Sequence, residues 1–371
     1  MRFVDLNKTH RICFAAVAAV VSLVALASAA AAGRSGFVGR VQSSRPSLFL
    51  SARKLVAAPR HKVALVRVVG INNRGEIVGD LTKNGSQHGY VWQNGSARLL
   101  GSATVAINER GQILGYAKYS PFHPVLWENG TRSSIDLDQV YALNDGGQVL
   151  GERGASLALW TNGQVSLLPF VADWPVAMND RGQVVGETAD GRAAEWQDGT
   201  LTDLGPGDPI AINNRGEILE DRNGDVLVWQ NGIATDLGPG NGIAINERGD
   251  VIWADTQGSN DAFVWRDGTT TDLGGVHPVA ISNRGQVVTS TYDSPVSYWV
   301  WPDADLLPYS QDDARVVGIN DHNQIAGTVC SPTCDPNRGI KKEHGVLWTL
   351  EGNTVKTQRL GIRQFRRALG T

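Results

Sequence analysis

Short apolar runs separated by polar turns recur along most of this chain, with equivalent positions 33 to 38 residues apart. The most regular stretch reads small residue, Ile, Asn, two polar residues, Gly, then a second apolar run. It appears as Gly70-Ile71-Asn72-Asn73-Arg74-Gly75 and again as Ala106-Ile107-Asn108-Glu109-Arg110-Gly111. Later copies centre on Asn144, Asn179, Asn213, Asn246, Ser282 and Asn320. In the last copy Asn323 takes the place of the turn glycine, and Asn is the residue that best tolerates a left-handed backbone after Gly. Self-similarity at this period marks a repeat architecture.

A second motif follows in every copy. An apolar pair ends in Trp (Trp92, Trp127, Trp160, Trp196, Trp229, Trp265, Trp301, Trp348), and a tight turn comes next. In six copies that turn is Asn-Gly or Asp-Gly, from Asn94-Gly95 to Asp267-Gly268. Both positions of such a two-residue hairpin need positive φ, which these pairs supply. Each copy therefore predicts four short strands and two hairpin turns. The residue before the Ile is Gly or Ala in all copies (Gly70, Ala106, Ala142, Ala177, Ala211, Ala244, Ala280, Gly318), as crowding near an axis requires.

One four-stranded sheet cannot bury both of its faces, and radial stacking of the copies solves this with short, protected edges. The expected fold is all-β, a β-propeller of about eight four-stranded blades. Seven or nine blades, should Ser47–Ala58 add a strand or the first copy pair with the last, and a β-solenoid are the alternatives. Closure is expected to join Thr354–Leu360 with Val63–Val69.

Composition refines this layout. The chain has 371 residues, with 43 Gly, 11 Trp and only 2 Met, which argues against a conventional helical core. Residues 1–32 read as a signal peptide: Arg2, Lys8 and Arg11 precede the apolar run Ile12–Ala27, and small residues follow. That run is short for a membrane span, so none is expected after cleavage, and an uncleaved anchor is the alternative. Residues 33–62 form a basic linker, 63–361 the eight-repeat propeller, and 362–371 a basic C-terminal tail. The net charge is -3, although Arg34, Arg40, Arg45, Arg53, Lys54, Arg60, Lys62 and Arg67 lie in a stretch without acids. The remainder is acidic, which argues against nucleic acid as the partner.

The Ala-Ile-Asn-x-x-Gly motif and the Trp-x-x-Gly-x-x-Thr-Asp-Leu-Gly motif resemble the extracellular HAF-repeat family, whose His-Ala-Phe triplet precedes the Trp. His88-Gly89-Tyr90 and His344-Gly345-Val346 keep the His, and Asp261-Ala262-Phe263 keeps the rest. The likeness covers roughly residues 68 to 361. It implies an exported repeat protein, secreted or at the cell surface, and supplies no catalytic residues.

Candidate chemistry lies where the repeat breaks. The second strand carries Gly at one position in five copies (Gly79, Gly115, Gly151, Gly186, Gly327), but Glu220, Trp253 and Thr289 in copies five to seven. At one radial level on consecutive blades these side chains are expected to be neighbours. With Asp221, Asp255, Tyr292 and Trp299 they would form an acidic and aromatic ligand-binding patch suited to a sugar or a cationic peptide. Drift in a degenerate repeat is the competing account. Cys330 and Cys334 are expected to form a local disulfide, since a metal site would need ligands beyond His322 and His344. The Trp column reads as blade packing and the Asn column as turn capping.

No catalytic motif is present, no cofactor is implied, and no catalytic residue is assigned. The leading expectation is a non-enzymatic binding module for a protein or glycan at the cell surface. The alternative is an extracytoplasmic enzyme acting on polysaccharide or a small molecule in the axial channel. Such an enzyme needs non-repeating polar residues at the axis, whereas the Gly/Ala column is uniform.

Overall fold

The computed structural model describes residues 63–360, apart from 84–85, 101–102, 120–121, 171–176, 257, 259, 293–295, 304, 309–313, 331–342 and 352–353. The expected signal peptide, linker, C-terminal tail, Ser47–Ala58 strand and Cys334 lie outside the described residues. Within them the chain forms eight antiparallel sheets of four consecutive strands each, and no helix. No helix among the described residues is long and apolar enough to cross a membrane. The blades are Val63–Leu99, Ala103–Ser134, Gln139–Leu167, Ala177–Gly205, Asp208–Pro239, Asn241–Gly274, His277–Leu306 and Arg315–Arg359, numbered 1 to 8. First strands of successive blades adjoin one another, and the first strand of blade 1 adjoins that of blade 8, so the ring closes as a propeller.

The core is divided into eight apolar wedges, one at each blade junction. Each wedge draws side chains from two blades, so every inner sheet face is buried against a neighbour. The Trp column fills these wedges, with Trp92 and Trp348 fully buried. Closure departs from expectation in its means. Thr354–Arg359 pairs with Glu343–Glu351 of its own blade, and the first strand pairs with Ile77–Lys83. The two ends meet through side chains instead, with Leu360 packed on Val66 and Val68.

The hairpin turns have the required backbone: φ is 48° at Asn94 and 80° at Gly95, and 62° at Asn323. The buried Asn column does more than cap its turn. Asn213 Oδ1 accepts the N–H groups of Arg215 and Glu217, each at 3.0 Å, while Nδ2 donates to the Asn246 carbonyl of the next blade at 3.0 Å. Equivalent bonds run from Asn72, Asn108, Asn144, Asn179, Asn246 and Asn320 to the following blade. The last of these, Asn320 to the Asn72 carbonyl at 2.9 Å, crosses the closure.

The ring is broken at Ser282, whose hydroxyl only accepts from Gln286 N–H. In consequence the buried Gln286 Oε1 has no partner. Two effects follow and are read by urea or thermal unfolding. Ser282→Asn should satisfy Gln286 Oε1 and reach the Asn320 carbonyl, adding about 1 kcal/mol. Asn213→Ala should cost about 2–3 kcal/mol, because buried amide and carbonyl groups lose their partners. A Ser282→Asn protein no more stable than the parent would contradict this account of the ring.

Candidate functional site

An antiparallel meander separates its links by end. First-to-second and third-to-fourth turns emerge at one end of every blade. Second-to-third loops and blade-to-blade links emerge at the other, which we name the connector face. Links at the turn end are nearly constant, as at 72–76, 108–112 and 144–148, or 94–95 and 129–130. On the connector face they range from residues 223–224 to 331–342, and from residue 240 alone to 307–314.

The first strands also differ from one another where they begin on this face. Four residues before the conserved Ile the column reads Arg67, Ala103, Gln139, Trp174, Asp208, Asn241, His277 and Arg315. Trp174 lies outside the described residues. The others stand where the adjoining first strands converge at the connector end of the axis, which we name the mouth.

The neighbouring column on the second strand staples blades together. Asp80 Oδ1 accepts the Thr104 N–H at 2.9 Å, the Tyr116 hydroxyl accepts that of Val140 at 3.2 Å, and Asp221 Oδ1 accepts that of Gly242 at 2.8 Å. Thr328 Oγ1 accepts the Val68 N–H at 3.0 Å across the closure. By sequence, blades 4, 5 and 7 have Pro175, Pro209 and Pro278 at the donor position, and proline has no N–H. Blade 3 answers Pro175 with Glu152, which accepts the Tyr141 hydroxyl. Blade 6 answers Pro278 with Ala254, which needs no donor. Blade 4 answers Pro209 with Glu187, whose buried Oε2 has no partner.

Charge gathers around that orphan oxygen. Burial pushes the Glu187 carboxyl above its usual range, and Asp208 adds to the effect. Asp208 sits directly across the sheet from Asp221. Burial, together with the nearby carboxylates Asp208 and Glu220, raises Asp221 to about 7 against the opposing Gly242 N–H. Half a turn around the ring, blades 8 and 1 present Arg315 and Arg67. Burial and the proximity of Arg67 hold Arg315 below the usual arginine range. Asp80 stands across from Arg67 and feels its charge, and its carboxylate also accepts from both the backbone and hydroxyl of Thr104. Carboxyl groups therefore gather at the mouth on blades 4 and 5, and Arg315 and Arg67, with Asp80 and Glu343 near them, on blades 8 and 1.

The residues singled out from sequence divide between this face and the core. Glu220 is 0% exposed and accepts bonds from Arg222 at 2.8 Å and from the Trp229 indole at 2.6 Å. Arg222 also lies over the Trp229 ring, 5.4 Å from its centre. Trp253, 2% exposed, stacks on Phe263 with ring centres 5.3 Å apart. Thr289 is buried across from the half-buried Trp299.

These side chains are not neighbours of one another, contrary to expectation. Each fills a different wedge: Trp229, the partner of Glu220, lies between blades 4 and 5, Trp253 between 5 and 6, and Val287, on the Thr289 side of its strand, between 6 and 7. In blade 1 the equivalent space belongs to a third-strand aromatic. A Cβ on Gly79 would lie 2.6 Å from the Tyr90 hydroxyl oxygen and 2.0 Å from the Arg67 carbonyl oxygen.

Asp221 belongs to the mouth, and Tyr292 to the adjoining rim. The Tyr292 ring is 49% exposed and meets His277 edge-on at 6.0 Å. Burial and the nearby Asp261 and Asp255 raise its hydroxyl pKa. Arg67, Glu187, Asp208, His277 and Arg315 were not anticipated as site residues. Aligning the copies one turn further back from the conserved Ile exposes most of them as a column that does not repeat.

Because Asp221 binds its proton more tightly folded than unfolded, its contribution is most favourable below about pH 4 and is lost as pH rises toward 7. Asp221→Asn keeps an acceptor for Gly242 and removes the charge. It should be more stable than the parent at pH 8, by about 1–3 kcal/mol, with the gap closing toward pH 4. Urea unfolding across that range checks the sign, and a gap independent of pH would refute it.

No family model matches the chain, and no curated protein matches it. Among solved structures, an acylaminoacyl peptidase in complex with Z-Gly-Gly-Phe-chloromethyl ketone aligns with TM-score 0.47 and 12% identity over 80% of this chain and 52% of the peptidase. A Pyrococcus horikoshii acylaminoacyl peptidase in an orthorhombic crystal form gives the same values. YCF48 bound to D1 peptide aligns with TM-score 0.38 and 11% identity over 62% of this chain and 91% of that one. The chain spans about half the length of the peptidases it matches. At this level of similarity none of these proteins lends its chemistry to the present chain.

Proposed function

We propose that this chain is an exported, non-enzymatic interaction module that engages a protein or glycan at the cell surface through its connector face. The observation that supports this reading is the contrast between the two ends of the ring. Turn-end links repeat in length and residue type, as a scaffold requires, while the connector face varies in link length, charge and aromatic content. Variable loops on a rigid scaffold commonly carry binding. The resemblance to the HAF-repeat family points the same way for export. The half-exposed Tyr292 ring offers a stacking face to a sugar or a cation–π face to a basic peptide.

The full chain should be screened by thermal shift against muropeptides, neutral oligosaccharides and short charged peptides, with product formation followed in parallel. A ligand at about 100 times its Kd adds roughly 2.7 kcal/mol to stability, which the screen detects. Tyr292→Ala should weaken a ligand found this way at least tenfold. Ile233→Ala, at a 71% exposed site beside a turn-end hairpin, should leave it unchanged. The reverse pattern would move binding to the other end of the ring, and turnover of a probe would replace the binding module with an enzyme.

A further inference from the structure

We infer that a groove between the outer strands of blades 3 and 4 binds a neutral oligosaccharide. The site lies apart from the connector face and does not depend on the reading given above.

The groove has a volume of about 900 Å³, within the range of about 300–1,000 Å³ that ligand sites occupy. It opens where a short side chain replaces the longer ones that cover the Trp column elsewhere. In blade 6 the residue after the Trp is Arg266, whose guanidinium lies over Trp301 of blade 7, 5.9 Å from the ring centre. Trp229 of blade 5 is covered by Arg222 at 5.4 Å and donates its indole N–H to Glu220. In blade 3 the residue after the Trp is Thr161, and this shorter side chain leaves open the space beside Trp196 of blade 4. Trp196 therefore remains partly exposed on the wall of the groove.

The lining mixes apolar and polar groups on the scale of a sugar ring. Trp196 and Leu159 form an apolar floor, and Leu201, 45% exposed and paired across its sheet with Trp196, extends it outward. Ser166 stands across from Leu159 on the facing wall. Thr161 Oγ1 accepts the Gln148 amide at 3.2 Å, which leaves its own O–H to donate. Ser166 and Asp198 are exposed. The serine hydroxyl can donate and accept, and the two carboxylate oxygens of Asp198 can accept from adjacent hydroxyls. A pyranose presents an apolar C–H face and a rim of hydroxyls, and these match the floor and the polar groups of the groove. None of the described lining residues carries a positive charge. An acidic sugar would find no counter-charge there and would be repelled by Asp198, so the match is to a neutral one.

Isothermal titration of the full chain with cellotetraose, maltotetraose, chitotetraose, tetragalacturonate and a capped neutral Leu/Ser hexapeptide tests this. At least one of the neutral sugars should bind, with tetragalacturonate and the peptide weaker by about tenfold or more. Asp198→Asn keeps a residue suited to the positive-φ turn, as at Asn162, and should lower the sugar affinity about fivefold. Leu201→Arg introduces the residue that blade 2 carries at the same position, Arg132, and should lower it about tenfold by occupying the groove. Both variants should keep the parent melting temperature. Trp196→Leu, which leaves the wedge apolar but removes the stacking face, should also cost about tenfold. Tyr292→Ala should leave this binding unchanged. Failure of all three neutral sugars, tighter binding of the peptide, or indifference to Leu201→Arg and Trp196→Leu would overturn the groove site. A sugar lost with Tyr292→Ala but retained by Leu201→Arg would also overturn it, while supporting the connector-face reading.

Discussion

A four-stranded blade has two apolar faces and no partner within itself, so the ring depends on burying each face against the next blade. Eight wedges accomplish this, and each is assembled from both of its neighbours. Apolar contact is non-directional, however, and does not by itself set the angle between blades. Directional bonds do that at the inner edge. The buried Asn amide links its turn to the next blade's carbonyl at the turn end, and the Asp, Tyr or Thr staple does so at the connector end. The same two bonds carry the closure between blades 8 and 1 without any exchange of strands.

A frame satisfied so regularly makes its exceptions informative. Ser282 leaves Gln286 Oε1 without a partner, and Pro209 leaves Glu187 Oε2 without one. The two differ in surroundings. Gln286 is neutral and stands in the regular turn end, where an Asn would complete the pattern. Glu187 is ionisable, lies near the Asp208 charge and sits toward the variable end. Burial and like charge raise the carboxyl pKa values of Glu187 and Asp221.

The break in the glycine column carries a different lesson. Seen along the chain, Glu220, Trp253 and Thr289 look like a cluster because they share a position in consecutive copies. A propeller places a whole sheet between such positions, and each side chain turns into its own wedge. There Glu220 finds Arg222 and Trp229, and Trp253 finds Phe263. Equivalent residues approach one another only at the inner edge, where the first strands converge. That is why residues of different blades come together on the first strand and at the second-strand positions that bond to it, and not at the glycine column.

Blade number, the strand count of each blade, the turn types and the packing role of the Trp column were all determined by the sequence. These are properties of a single copy of about 35 residues, and the repeat displays them in its period and its Asn-Gly pairs. The tertiary structure alone decided how the ring closes, which wedge receives each side chain, and how charge is divided around the mouth. Those features join residues far apart in the chain, such as Asn72 with Asn320 or Arg67 with Arg315. The order of the blades around the axis brings them together, and no local pattern encodes a pairing across that distance.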